Sequence, residues 1–163
     1  IGAISSAISH VSPPPFAAHF VEVEVDTRTG FVKLLEYVAA VDCGTAINPK
    51  LAEGQVEGAV ANGIGYAMTE ELIFNADGAC QNASFRHYRI PSAADMPPLK
   101  TILVPTYEPT GPYGAKSVSE IGINGAAPAI SNAIYDAVGV RMLETPFTAE
   151  RVFRALRAKA AAS

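Results

Sequence analysis

A strictly alternating run near the N-terminus constrains the fold more than any other feature. Residues 21–25 are V-E-V-E-V, which places three valines on one face of an extended strand and two glutamates on the other. The D-T-R-T-G sequence at 26–30 supplies turn residues, and residues 31–41 continue as a longer, more apolar strand. The sequence therefore predicts a β-hairpin with one face in water.

Three later segments have apolar residues at helical spacing, and two have the composition of strands. The first predicted helix runs from Asn48 or Pro49 to about Thr69, the second from an Asn124 cap to a stop at Gly139, and the third starts at Thr148. The predicted strands are 70–75 and 100–108. Because no β-α-β rhythm is present, we predict an α+β fold in which a β-hairpin and mixed sheet pack with about three helices.

The N-terminal residues differ in composition from the rest. Residues 1–17 are rich in Ser, Ala and Pro and contain three consecutive prolines, so we expect an extended N-terminal arm followed by one segment over 18–160. The arm lacks the basic and apolar regions of a signal peptide, and the chain starts with Ile1 rather than Met. We therefore expect a chain cut from a larger protein.

Composition argues against several function classes. Hydrophobic residues make up 49% of the chain and charged residues only 17%, as expected where much of the surface lies against other protein. The net charge of -4, without a Lys/Arg cluster, argues against nucleic-acid binding. No apolar run approaches the roughly 18 residues that a membrane helix requires, so we expect a soluble protein without a membrane span.

The cysteines and histidines lack the spacing of a metal site. Cys43 and Cys80 belong to no paired motif, so we expect free, buried thiols in a reducing compartment, the cytoplasm. His10, His19 and His87 show no metal-ligand spacing, and we interpret them as packed or surface histidines. The sequence therefore predicts no protein ligand to a metal.

The first predicted helix contains four glycines, Gly54, Gly58, Gly63 and Gly65. Each costs roughly 1 kcal/mol relative to alanine inside a helix, so another interaction must offset the loss. Close approach of another backbone or of a ligand is the simplest compensation. On this pattern alone, helix packing is favoured over ligand contact.

The segment G-P-Y-G-A-K-S-V-S-E-I-G-I-N-G-A-A-P-A-I at 111–130 carries the most chemistry. A lysine, two serines and a glutamate lie within five positions, and the segment leads into a predicted helix N-terminus, whose free N–H groups attract anions. A phosphate-binding P-loop is excluded, because the glycine that must precede the lysine is replaced by Ala115. The segment therefore indicates a polar site of another kind.

Glu120 is the candidate for catalysis within this segment. A single carboxylate before a helix is by default a cap or a surface charge. Val118 and Ile121 flank Glu120, however, and such an apolar setting would raise the pKa of the carboxylate from about 4.3 toward that of a general base. A nearby Lys116 would lower it.

Several motifs follow one another in the order found in one enzyme family. They are HFVEVEVDTRTGFVKLLEYVAAVDCGTAINPKLAEGQVEGAVANGIGYAMTEEL, then RIPSAADMPP, then GPYGAKSVSEIGINGAAPAISNAIYDAVGVR. From about His19 to Leu156, the chain resembles the end of the molybdopterin-binding subunit of the xanthine dehydrogenase/aldehyde oxidase family.

The resemblance implies that the fold is part of a larger molybdopterin-binding domain. The implied enzyme hydroxylates an N-heterocycle, a purine or an aldehyde with oxygen from water, using molybdopterin with Mo in the cytosine dinucleotide form usual in bacterial relatives. Because the chain has no Cys motif for them, iron–sulfur clusters are expected on other domains or subunits, where the resemblance also implies FAD. These, the remainder of the molybdenum subunit and a small-molecule substrate are the implied partners, and the chain is not expected to be active alone.

The resemblance also assigns site residues. Glu120 matches the general base of the family, and Gln55 matches a glutamine near the molybdenum ligands or the pterin, although alone it would be an exposed helix amide. The residues that match a loop beside the cofactor are Lys116, Ser117, Val118 and Ser119. Lys116 alone could equally be a solvated charge. Many family members have glycine at both serine positions, so this loop is bulkier.

Two hypotheses for the function follow from these residues. In the first, the chain is a component of a molybdenum hydroxylase with Glu120 as general base. In the second, it is a non-catalytic structural or assembly module that binds no cofactor on its own.

Overall fold

The computed structural model describes residues 2–6 and 10–162. Its sheet has the strand order β1-β2-β3, in which β1 and β2 are antiparallel and β2 and β3 are parallel. The strands are β1 (Phe16–Val25), β2 (Val32–Asp42) and β3 (Leu99–Leu103). The predicted hairpin and mixed sheet are confirmed. β1 takes in the last two residues of the predicted arm, and β3 ends two residues before Pro105, which cannot donate to a sheet.

A bulge in the hairpin explains which residues of β2 are buried. The pairing between β1 and β2 is shifted at Glu22, and it skips Leu35. Val32, which precedes the skipped residue, faces the core. Tyr37 and Val41, which follow it, also face the core and have no exposed surface. The buried positions therefore change from even to odd numbers, as one inserted residue requires.

The described residues also contain four α-helices and two single turns of 3₁₀ helix. The α-helices are α1 (Pro49–Met68), α2 (Ile121–Asn124), α3 (Ala126–Val138) and α4 (Ala149–Ala162), and the 3₁₀ turns are Ala93–Asp95 and Pro112–Gly114. The Asn48 side chain accepts a hydrogen bond from the Leu51 N–H at 3.1 Å and caps α1, whose start at Pro49 agrees with the predicted one. Gly139 ends α3 with a φ of 68°, also as predicted.

Two predictions about these elements are wrong. Asn124 does not cap the second predicted helix, because it is the last residue of α2 and the chain continues through Gly125 into α3, which has no side-chain cap. Residues 70–75 form no strand, and only Phe74 makes an isolated bridge, with Cys80. Residues 73–75 hydrogen-bond with residues 79–81, but the bridge is not continued into a ladder, so strand propensity was not enough there.

The core lies between one face of the sheet and the helices. α3 packs against β1, and α1 packs against β3. The largest fully buried side chains are Tyr37, Ile130, Ile134, Val41, Val56, Val60 and Val152. On the opposite face of the sheet, Phe20 is 64% exposed and Ile102 is 40% exposed. These two side chains belong to an apolar patch on a face that also carries Glu22 and Lys100, and such patches are typical of a surface that another protein covers.

Further sequence predictions concern thiols, histidines and membrane helices. Cys43 is buried, Cys80 is partly buried, and both are free thiols. His19 is half-buried, while His10 and His87 are exposed, in agreement with packed or surface histidines. None of the described helices is both long and apolar enough to cross a membrane.

Candidate functional site

Backbone hydrogen bonds join the loop that follows β2 to the segment 111–120. The Thr45 N–H donates to the Gly114 carbonyl at 2.7 Å, and the Lys116 N–H donates to the Cys43 carbonyl at 2.7 Å. We call residues 111–116 the anchored half of this segment and residues 117–120 the open half. The hydrogen bonds to the loop after β2 involve the anchored half.

Two glycines allow the close contact between these loops. Gly44 has a φ of +68° and Gly114 a φ of +79°, in the left-handed region that is costly for other residues. A Cβ at Gly44 would lie 2.3 Å from the carbonyl oxygen of Gly114, and a Cβ at Gly114 would lie 2.4 Å from the Tyr107 ring. Both positions therefore require glycine for conformation and for space.

The Asp42 carboxylate joins the same loops through side-chain hydrogen bonds. Its Oδ2 accepts from the Lys116 ammonium at 2.6 Å, and its Oδ1 accepts from the Thr106 hydroxyl at 2.5 Å and the Gly44 N–H at 2.9 Å. The ammonium also lies 5.2 Å from the ring centre of Phe16, the residue that pairs with Asp42 across the sheet. The hydrogen bonds from Lys116 and Thr106 lower the pKa of Asp42 to about 2.

Lys116 is not the solvated charge that its sequence alone allowed. Its side chain is only 7% exposed, and that of Asp42 is 17% exposed. Sequence analysis did not find this ion pair, because its members are 74 positions apart and form no motif. The one available signal is that Asp42 ends a largely buried strand, where a charge needs a partner.

Glu120 directly precedes α2 and is exposed. The Ser119 hydroxyl donates to its Oε2 at 2.7 Å, and this hydrogen bond lowers the pKa of Glu120 below its ordinary value. The raised pKa that Val118 and Ile121 led us to expect is therefore wrong for this chain. Both apolar side chains pack against the core and leave the carboxylate in solvent. Lys116 has no part in the shift, since its ammonium binds the buried carboxylate.

Gln55 lies on the exposed side of α1. A Cβ at Gly54 or Gly58, which flank it, would meet no atom within 4 Å. Gly63 and Gly65 differ, because a Cβ at either position would clash with other parts of the chain. Packing within the chain therefore explains two of the four helix glycines, while the other two face outward beside Gln55.

The short helix α2, which directly follows Glu120, packs against the same helix α1. A Cβ at Gly122 would lie 2.8 Å from the Cβ of Ala59, which is one turn beyond Gln55. The helix that begins directly after Glu120 therefore packs on α1. The structure thus places the predicted base and the predicted cofactor-binding glutamine on adjoining elements.

The remaining predicted site residues lie in the open half. Ser117 is exposed, Ser119 is half-buried, and the Val118 side chain packs against the core. Two surface concavities, along residues 85–90 and between the start of α3 and residues 141–147, include none of the predicted site residues. Across residues 2–6 and 10–162, no three His, Cys, Asp or Glu side chains are grouped so that they could hold a metal ion. The candidate site is therefore an open surface.

Comparison with known proteins identifies the family. A family model described as the molybdopterin cofactor-binding domain matches residues 7–97, which is more than half of the chain. The chain belongs to this family. The resemblance to molybdenum-binding subunits that the motifs indicated is thereby confirmed.

The relatives of this chain include the putative xanthine dehydrogenase molybdenum-binding subunit XdhA of Escherichia coli (strain K12), which is 37% identical over 154 residues, covering 94% of this chain and 20% of that protein. The chain is 45% identical over 159 residues to the probable hypoxanthine oxidase XdhD of Escherichia coli (strain K12), covering 95% of this chain and 17% of that protein. The CO dehydrogenase structure from Oligotropha carboxidovorans matches with a TM-score of 0.82 and 32% identity, covering 91% of this chain and 19% of that chain. The structure of aldehyde oxidoreductase from Desulfovibrio gigas matches with a TM-score of 0.80 and 30% identity, covering 88% of this chain and 15% of that chain. The chain spans about a fifth of the length of these relatives.

The groups on the open surface fit a molybdopterin cofactor. The exposed amide of Gln55 and hydroxyl of Ser117 can both donate and accept hydrogen bonds, as a pterin requires. Gly54 and Gly58 leave the backbone of α1 bare, so a flat group can approach it closely. The cation of the loop, Lys116, is held by its carboxylate partner. The groups that would contact a molybdopterin cofactor on this surface are therefore neutral: a side-chain amide, a hydroxyl and bare backbone.

Proposed function

We propose that this chain is the part of a molybdenum hydroxylase that presents Glu120 to the molybdopterin centre as general base. The reaction is the oxidative hydroxylation of an N-heterocycle, a purine or an aldehyde with water-derived oxygen. The observation that carries the proposal is an exposed carboxylate beside a loop anchored within the chain, in a chain whose residues 7–97 match a molybdopterin cofactor-binding domain. The identity with a probable hypoxanthine oxidase makes a purine the first substrate to test.

The surroundings of Glu120 suit proton transfer. Because the Ser119 hydroxyl holds the pKa of Glu120 below its ordinary value, the carboxylate is ionised at neutral pH and ready to accept a proton. When the remainder of the subunit covers the carboxylate, the loss of water makes it a stronger base. The molybdenum cofactor, when bound, supplies the oxidising centre. The proton released from the reacting oxygen is then taken up at a carboxylate oxygen of Glu120.

The residues proposed to hold the cofactor use different groups. Gln55 offers its side-chain amide, and Ser117 and Ser119 offer hydroxyls. Val118 offers only its backbone, since its side chain packs against the core. We assign the cofactor to the cytosine dinucleotide form, with Gln55 and the open half on its pterin side.

The partners are also part of the proposal. The chain spans 17% of XdhD, and apolar side chains such as Phe20 and Leu143 are exposed, so the remainder of the molybdenum subunit is expected to cover this surface. Iron–sulfur clusters and FAD lie on other domains or subunits, and the assembly is cytoplasmic. Analysis of the purified assembly should find Mo, Fe, FAD and, after acid hydrolysis, cytidine monophosphate. An assembly without molybdenum would contradict the proposal.

Glu120→Gln in the complete enzyme tests the role of the carboxylate. Turnover should fall by about 10²–10⁴-fold, because the amide cannot accept the proton. Molybdenum content should stay unchanged, because the amide occupies the same volume. The assay uses hypoxanthine, quinoline and benzaldehyde with an artificial electron-accepting dye.

The matched control is Glu150→Gln, which makes the same change at an exposed glutamate on α4. This variant should turn over at the rate of the unmodified enzyme. Normal turnover in Glu120→Gln would show that the general-base role is wrong, and it would favour a non-catalytic module.

A further inference from the structure

The Asp42–Lys116 pair differs from the exposed ion pairs of the chain. The Arg154–Glu150 pair on α4 has the same 2.6 Å separation, but its side chains are 76% and 71% exposed. An exposed pair of that kind contributes little to stability, whereas breaking a buried pair leaves a charge without a partner in a dry environment. The buried pair is therefore a strong local constraint.

Three parts of the chain converge on the Asp42 carboxylate. They are the end of β2 itself, the loop after β3 through the Thr106 hydroxyl, and the anchored half through Lys116. Gly114, in the anchored half, also accepts a hydrogen bond from the Glu108 N–H at 3.0 Å. The pair thus lies where both loops are fixed to the sheet.

Glu120 lies between two fixed points. On one side is Lys116, four positions earlier, and on the other is Gly122, which packs on α1. Four residues reach at most about 14 Å even when fully extended, so the position of Lys116 limits the position of Glu120. A displacement of the base by about 1 Å is enough to cost about 10²-fold in rate.

We propose that Asp42 and Lys116 are positioning residues, whose buried ion pair sets the place of Glu120, and that the Lys116 ammonium is not a ligand of the cofactor phosphates. The inference rests on the proposed function of Glu120. Its support is that the Lys116 ammonium donates to Asp42 and the Lys116 N–H donates to Cys43. The lysine therefore holds the loop with both its side chain and its backbone.

The test uses Asp42→Asn, Lys116→Met and Lys116→Arg in the complete enzyme, with Arg154→Met as the control that removes a cation from an exposed pair. Asp42→Asn keeps the shape of the side chain and its acceptor oxygen, so it should fold. Asp42→Asn and Lys116→Met should each lower kcat per bound molybdenum by about 10²-fold. KM and the molybdenum and pterin contents should change less than about twofold. The Lys116→Arg variant should recover part of the lost kcat, because it restores the charge.

Two further readouts test whether Asp42 and Lys116 act as one unit and hold the loop. The double variant Asp42→Asn/Lys116→Met should be no slower than the slower single variant, because both changes break one interaction. Independently of activity, hydrogen exchange of the Thr45, Glu108 and Lys116 amides should become about tenfold faster in both single variants. The Arg154→Met variant should leave turnover and exchange unchanged.

The outcomes that overturn the inference differ from those that overturn the general-base role. Unchanged kcat or unchanged amide exchange in Asp42→Asn and Lys116→Met would overturn it, even if Glu120→Gln is inactive. Loss of molybdenum or pterin from either variant would also overturn it, since the pair would then act on the cofactor. Normal turnover in Glu120→Gln would instead remove the proposed function itself.

Discussion

The anchored and open halves of one short segment differ sharply in their surroundings. In the anchored half, backbone hydrogen bonds, two left-handed glycines and a buried ion pair join residues 111–116 to the end of β2. In the open half, Ser117 and Glu120 are exposed, and Glu120 accepts a side-chain hydrogen bond from its neighbour Ser119. Contacts within the chain therefore fix the position of residues 111–116, whereas the Glu120 carboxylate is available to a group outside the described chain.

The helix α1 shows the same division. Gly63 is packed, and a Cβ there would lie 2.6 Å from the Cβ of Ala126. Gly54 and Gly58, beside Gln55, meet open space. Contacts within the chain thus explain the sequence of the anchored half and of the second half of α1. They do not explain the open half or the glycines beside Gln55. We expect the unexplained parts to face the same neighbour.

The largest expected effect comes from Gly44→Ala, which attacks the anchored half. Left-handed backbone costs an alanine about 1–2 kcal/mol, and the overlap with the Gly114 carbonyl adds about 1–3 kcal/mol. The two sum to a destabilisation of about 2–5 kcal/mol. A lower thermal unfolding midpoint of the complete subunit, with faster amide exchange at Thr45 and Lys116, is the expected measurement.

Gly78→Ala is the control for this prediction. Gly78 has a φ of +80°, but a Cβ there would meet no atom within 4 Å, so only the conformational cost applies. Equal losses of stability in the two variants would show that the contact between the loops contributes nothing.

A smaller effect is expected from acid. The folded pKa of Asp42 is about 2, below its ordinary value of 3.8, so the stability it contributes is fully present above about pH 4. That contribution is lost as the pH falls from about 4 toward 2, because Asp42 becomes protonated and releases Lys116. Thermal unfolding midpoints of the unmodified protein and Asp42→Asn should therefore differ at pH 5 and converge toward pH 3. A difference that stays constant with pH would mean that the charge of Asp42 does not stabilise the fold.

Sequence patterns predicted those parts of the fold that depend on local spacing. The alternating valines, the helix start at Pro49 and the Gly139 stop each depend on a few neighbouring residues, and each lies where it was expected. The strand predicted at 70–75 failed because its pairing with residues 79–81 does not extend beyond one bridge, and sequence spacing does not reveal the length of a ladder. The break between α2 and α3 at Gly125 was missed for a similar reason, since the pattern of apolar residues runs through it.

For the site, the motifs indicated the right segment but not its electrostatics. The apolar neighbours of Glu120 turn inward, so they do not desolvate it. Lys116 was considered as a neighbour of Glu120, as part of the loop beside the cofactor or as a solvated charge, whereas its partner is a carboxylate 74 positions away. Long-range pairs of this kind follow from the packing of the two loops, which in turn depends on glycines whose φ values no spacing rule supplies.

The smallest expected effect concerns the open half. Ser119→Ala removes the hydroxyl that donates to Glu120, and a carboxylate that loses a donor becomes easier to protonate. The pKa of Glu120 should rise, so the acid limb of the pH profile of kcat/KM should move to higher pH. Ser117→Ala removes a hydroxyl from the same half without touching the carboxylate, and it should leave that limb in place. If neither variant moves the acid limb of the profile, a group outside residues 117–120 determines the protonation of Glu120, and the Ser119 hydroxyl does not.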